Sequence, residues 1–139
     1  DDPRFPYNMT LGAIRDPALL RDLGREIGRE CRAVGINVDF APVLDVNSNP
    51  KNPVIGFRSF GEDPKRVADL GIAFSLGLES EGVMSVAKHF PGHGNTESDS
   101  HKTLPKITTS RSQLEKTDIY PFKKYIDRHL GGVMVGHLD

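Results

Sequence analysis

Short apolar runs begin near residues 36, 83 and 132, so one kind of segment recurs at intervals of 47 and 49 residues. Residues 36–40 alternate and pass into Ala41-Pro42-Val43-Leu44-Asp45, whereas residues 83–87 and 133–135 are apolar without alternation. Runs that are apolar on both faces need cover on both faces, which is the situation of strands in a parallel sheet. The long intervals between them carry helical patterns, and strand–helix–strand alternation is how parallel strands are connected. The fold class that follows is α/β, with about three βα units.

The helical intervals announce their own ends. Asp16-Pro17 pairs a capping carboxylate with a proline at the first helical position. Leu19, Leu20, Leu23, Ile27, Cys31 and Val34 then follow at helical spacing as one apolar stripe, and Gly35 stops it. Arg21, Arg25, Glu26, Arg29 and Glu30 form its solvated side. Asp63-Pro64 repeats the signal, with Val67, Leu70, Phe74 and Leu78 leading to Gly82. A third helical stretch starts at Ser110 or Ser112, is kinked or restarted by Pro121, and ends at Gly131-Gly132. Residues 1–14 and 47–61 read as irregular.

Polar residues gather where the strands end: Asp45 after the first, Lys88 and His89 after the second, His137 after the third. Both a closed (β/α)8 barrel and an open doubly wound sheet place their sites at that edge. No GxGxxG loop supports nucleotide binding. The second exit opens the most polar loop of the chain, KHFPGHGNTESDSHKTLP from Lys88 to Pro105. Neighbours on a strand point to opposite faces, so of Lys88 and His89 one can face a ligand while the other braces it. The plainer alternative is a lysine paired with a carboxylate and a histidine satisfied by a carbonyl. Asp99 and His101 share a face if extended, and a carboxylate that orients an imidazole makes a general acid or base. A solvated Asp-Ser-His turn is the alternative there. His89 and His93 have the separation of helical zinc ligands, but Pro91-Gly92 between them removes the helix, so no metal is expected. Asp45 is either a carboxylate bracing the site or a turn former, and Arg58, in the 47–61 loop, is either a bidentate donor to a ligand or a solvated cation.

Lys-His-Phe-Pro-Gly-His-Gly, followed by Thr, Asp-Ser-His and Leu-Pro, resembles the signature of glycoside hydrolase family 3, and within it the bacterial β-N-acetylhexosaminidase branch. Phe40-Ala41-Pro42-Val43-Leu44-Asp45-Val46, Ile55-Gly56-Phe57-Arg58-Ser59-Phe60 and Gly132-Val133-Met134-Val135-Gly136-His137 also match the family pattern. The resemblance implies a partial (β/α)8 TIM barrel acting on carbohydrate without a cofactor. It implies retaining hydrolysis of terminal β-linked N-acetylglucosamine from glycans or peptidoglycan fragments. Arg58, Lys88 and His89 would hold the sugar, with Asp45 and His137 grouped among the substrate-binding residues, and Asp99–His101 would be the acid/base dyad. The family nucleophile is an aspartate on a later strand, beyond Asp139. A β-glucosidase-like or phosphorylase member, or a non-catalytic carbohydrate-binding remnant, are the alternatives.

Lysine and arginine number 18 against 19 acidic residues, with a pI of 6.6. That balance offers no electrostatic footprint for nucleic acid or an anionic membrane. The one cysteine, Cys31, excludes an intramolecular disulfide, and no run approaches a membrane span. A chain of 139 residues supports one domain with a core. It opens at Asp1 and closes at Asp139 just past a strand, so it reads as a central piece of a larger barrel: inactive alone and prone to self-association. The resemblance points to a bacterial cytoplasm or periplasm without choosing between them.

Overall fold

The computed structural model describes residues 4–96 and 109–137. Its elements run α1 (Asn8–Leu11), α2 (Pro17–Ala33), β1 (Val38–Asp39), a 3-10 turn (Gly56–Arg58), α3 (Pro64–Ser80), β2 (Met84–Phe90), α4 (Arg111–Lys116), α5 (Tyr120–Asp127) and β3 (Gly132–Val135). The three strands form one parallel sheet in the order β1-β2-β3.

Local signals set the helix starts. The Asp16 carboxylate accepts from Ala18 N at 2.9 Å, that of Asp63 from Lys65 N at 3.1 Å, and the Ser110 hydroxyl from Gln113 N at 3.3 Å. Each side chain satisfies a donor that the first helical turn leaves free. Pro121 does restart the chain: α4 stops at Lys116 and α5 begins at Tyr120. The third helical stretch, however, ends at Asp127 rather than at Gly131-Gly132, because His129 turns left-handed at φ 54°. The irregular start also holds one turn of helix, α1.

The stripe on α2 is narrower than its spacing predicts. Leu20 is fully buried and Leu23, Ile27 and Cys31 pack beside the core, but Leu19 and Val34 are exposed. Glycine sets the helix contact. A Cβ on Gly24 would sit 2.1 Å from Phe74 O, and one on Gly77 would sit 2.0 Å from Arg21 O. α2 and α3 therefore meet backbone to backbone along a seam through Gly24, while Leu19 falls on the far side of the helix and Val34 lies past its end.

The expected strand over 36–45 is only partly a strand. Val38 and Asp39 pair with Met84 and Ser85, and the pairing resumes as a bridge between Val43 and Lys88. One extra residue stands on the β1 side of that interval, and Pro42 lacks the N–H a regular ladder would use, so the segment bulges. Its carbonyls still serve: Ala41 O accepts from Val86 N at 2.9 Å, Pro42 O from Lys88 N at 3.1 Å, and Leu44 N donates to Lys88 O at 2.8 Å.

The core gathers Leu20, Leu44, Val46, Val67, Leu70, Ala87, Phe122 and Tyr125, and Phe90 meets Phe122 edge to face at 5.5 Å. Cover is one-sided at the sheet edges: Val38, Phe40 and Val135 are exposed. At the entry of β2, the Ser85 and Tyr125 hydroxyls meet at 2.6 Å, and Glu79 accepts from Ser85 Oγ at 2.6 Å and Gly131 N at 2.7 Å. No described helix is long and apolar enough to cross a membrane.

Candidate active site

Parallel pairing brings the exits of β1, β2 and β3 to one end of the sheet, where the chain is no longer confined by a ladder. β2 leaves that end irregularly. Lys88 pairs with Met134 but Phe90 pairs with Val135, so His89 is an extra residue on β2. A bulge breaks the strict alternation of side chains and re-aims the residue it contains. The Lys88–His89 and Phe90–Pro91 peptide bonds are cis.

Asp45 is the hub. It has no exposed surface, and its carboxylate accepts from His89 Nδ1 at 2.6 Å, from His93 N at 2.7 Å and from His89 N at 3.2 Å. Such a charge-assisted bond fixes the imidazole and leaves Nε2 uncommitted to Asp45. Asp45 thus braces His89 from below, and its burial gives it no surface to offer a ligand. His89 itself keeps 19% of its side chain exposed.

The cations lie beside this pair. Lys88 is half-buried, and its pKa is held below the usual lysine range by burial first and by the Arg58 guanidinium second, with Asp39 and Asp45 pulling the other way. Asp39 is pushed up by burial and drawn back by Lys88. Lys88, Arg58 and the two aspartates therefore share one electrostatic neighbourhood. Arg58 is exposed at the end of its 3-10 turn, and Asn8 Nδ2 donates to its carbonyl at 2.7 Å, tying α1 to that turn. His137 is exposed after β3, and Gly136 N donates to Phe90 O at 2.7 Å, which keeps that segment beside the β2 exit.

A second buried layer involves residues the sequence reading did not select. His93 is buried, its Nδ1 lies 2.7 Å from Thr96 Oγ1, and its carbonyl accepts from Asn52 Nδ2 at 2.6 Å. Asn52 Oδ1 in turn accepts from Val54 N and Ile55 N at 2.9 and 2.8 Å, so the 47–61 loop and the β2 exit lock together. The Nδ1 atoms of His89 and His93 thus face different partners. Asp118, between α4 and α5, is buried, and its pKa is raised to about 6 by burial and by the nearby charge of Asp45. His93 and Thr96 stood in the polar loop of the sequence, whereas nothing around Asp118 marks it locally. Asn95 Nδ2 donates to Thr109 Oγ1, which ties the β2 exit to the segment before α4. The Asp99–His101 pair lies outside the described residues.

What gathers here is a braced imidazole beside two cations at the exits of parallel strands: donors suited to hydroxyl and amide groups of a polar ligand. Asp45 and Asp118 are a neighbouring carboxyl pair, but both are buried, so they are not the solvent-facing acids of a two-carboxylate hydrolase.

The family description "Glycosyl hydrolase family 3 N terminal domain" matches residues 1–139. The chain belongs to glycosyl hydrolase family 3. Its α/β fold is part of the (β/α) barrel of that family's N-terminal domain. It is 43% identical over 139 residues to β-hexosaminidase A of Pseudoalteromonas piscicida, covering 97% of this chain and 23% of that protein. It is 43% identical over 137 residues to β-hexosaminidase LpqI of Mycobacterium tuberculosis, covering 96% and 34%. Among solved structures, the glycoside hydrolase family 3 β-N-acetylglucosaminidase from Paenibacillus sp. str. FPU-7 superposes with a TM-score of 0.92 at 46% identity, over 94% of this chain and 25% of that one. The chain spans about a quarter to a third of the length of these family 3 relatives.

Proposed function

We propose that the full-length protein containing this chain hydrolyses terminal β-linked N-acetylglucosamine from glycans or peptidoglycan fragments with retention of configuration. The observation that carries this reading is His89, braced by buried Asp45 at 2.6 Å, beside Lys88 and the Arg58 guanidinium at the strand exits. Likeness to proteins named β-hexosaminidase and β-N-acetylglucosaminidase supports the substrate class.

In this reading Lys88, Arg58 and His89 bind the hydroxyl and amide groups of the terminal sugar, Asp45 positions His89, and His137 stands at the neighbouring strand exit. An aspartate outside these 139 residues attacks the anomeric carbon. His101, oriented by Asp99, gives its proton to the glycosidic oxygen as that bond breaks, leaving a covalent glycosyl-enzyme. Water then attacks the same carbon, His101 takes its proton, and the sugar leaves with its configuration kept. The reaction draws on no cofactor.

The test is kcat/KM of His101→Ala in the full-length protein across aryl N-acetyl-β-glucosaminides and a disaccharide. Acid assistance is typically worth about 10²–10⁴ in rate. The disaccharide should lose activity by that order, while an activated phenol still leaves and later hydrolysis becomes limiting. Equal losses for every leaving group would overturn the acid role. Faster cleavage of β-glucosides, or turnover that requires phosphate, would overturn the substrate or the reaction.

A further inference from the structure

The loop leaving β2 is rooted against a carboxyl group that the proposed reaction does not use. Asp118 is 2% exposed, and its Oδ1 has no hydrogen-bond partner among the described residues. A Cβ on Gly92 would lie 2.6 Å from Asp118 Cβ and 3.3 Å from its Oδ1, so this side chain packs directly on the Gly92 backbone. Gly92 has φ +134°, a conformation that favours glycine. The next N–H along, that of His93, is the 2.7 Å donor to Asp45.

Asp45 and Asp118 therefore both bear on the Gly92–His93 backbone, and they are unequal. Asp45 has three N–H groups aimed at it, from His89 twice and from His93, while Asp118 Oδ1 has no described donor. Two buried carboxyls in one neighbourhood are stable with a single negative charge between them, since a second would be unpaired and desolvated.

We propose that Asp118 is a positioning residue that works uncharged, letting Gly92–His93 pack down onto Asp45 and so holding the His89 imidazole ready for the sugar. The charged group that acts on it is Asp45, from the segment after β1, and its own backbone N–H opposes the shift. Burial and Asp45 together raise its pKa to about 6, so it keeps its proton in mildly acidic solution. Once ionised, it sets a second negative charge beside Asp45. Water can reach the ionised carboxylate only by parting the Gly92 backbone from it, which draws the His93 N–H off the hub and loosens His89. His93 Nε2, buried and also without a described partner, belongs to the same root.

The inference rests on the sugar-holding role of His89, and its test separates the two. In the full-length protein, with whichever aryl β-glycoside is turned over fastest, KM should rise above about pH 6, by up to about tenfold per pH unit. Asp118→Asn keeps the shape without the charge and should remove the rise in KM, whatever the pH profile of kcat. The same rise in Asp118→Asn, or none in the wild type, overturns the proposal. Should that variant not fold, the carbon-13 shift of the Asp118 carboxyl in the wild-type protein decides. A midpoint near the ordinary 3.8 rather than near 6 overturns it. Preference for a glucoside over an N-acetylglucosaminide would refute the substrate reading and leave this test intact.

Discussion

Asp118 and Asp45 show how burial divides work between identical side chains. Both are buried, but one has N–H donors arranged around its charge and the other lacks a described donor on Oδ1. The difference has a measurable sign. The pKa of Asp118 rises from 3.8 to about 6 on folding, so the folded chain binds the proton more tightly than the unfolded one. Its contribution to stability is full below about pH 3.8 and is lost as the pH rises through about 6. Replacing it with asparagine removes that loss. Asp118→Asn should therefore gain stability over the wild type between pH 4 and pH 7, by on the order of 2 kcal/mol. Denaturant unfolding at the two pH values checks it, and a gap that stays constant with pH contradicts it. Lys88 obeys the same rule with the opposite charge, since burial and Arg58 disfavour its ammonium. None of this is legible locally. Asp118 meets Gly92, and Asp45 meets His89, only because folding closes intervals of 26 and 44 residues.

At the scale of elements, the sequence speaks clearly where the cause is local. Asp16, Asp63 and Ser110 cap helices as their positions predict, because a cap needs only the next turn. It is mute where the cause lies on another element. The bulges at 40–42 and at His89 depend on the register of partner strands. How closely α3 approaches α2 depends on what stands opposite Gly24 and Gly77. That approach can be tested at Gly77, where a methyl group would lie 2.0 Å from Arg21 O and 2.8 Å from Arg25 N. Alanine gains up to about 1 kcal/mol over glycine inside a helix. Forcing backbone apart in a packed seam costs about 1–3 kcal/mol and sometimes more, so the clash should win. Gly77→Ala is expected to destabilise the full-length protein by about 2 kcal/mol, read from the urea midpoint; an unchanged or raised midpoint would contradict backbone contact.

For the molecule as a whole, the sheet has β1 and β3 at its edges among the described residues, with Val38, Phe40, Met84 and Val135 exposed. Uncovered parallel edges and apolar side chains favour association. Residues 1–139 expressed alone should sediment as a concentration-dependent mixture and cleave no aryl N-acetyl-β-glucosaminide. A monodisperse monomer, or turnover by it, would count against the incomplete-barrel reading and the external nucleophile. Within this frame β2 is a strand with two occupations. Ser85, near its entry, is knitted to Tyr125 and Glu79, while Lys88 and His89, toward its exit, carry the proposed sugar contacts. Damage at the first end lowers the population of folded chains, which cooler growth or an unrelated stabilising substitution can restore. Damage at the second end leaves the chain folded and empty-handed, and no distant suppressor returns the missing donor. Temperature-sensitive alleles should therefore map to Ser85 and Tyr125, and alleles that are null at every temperature to Lys88 and His89, only three or four residues further along the same strand.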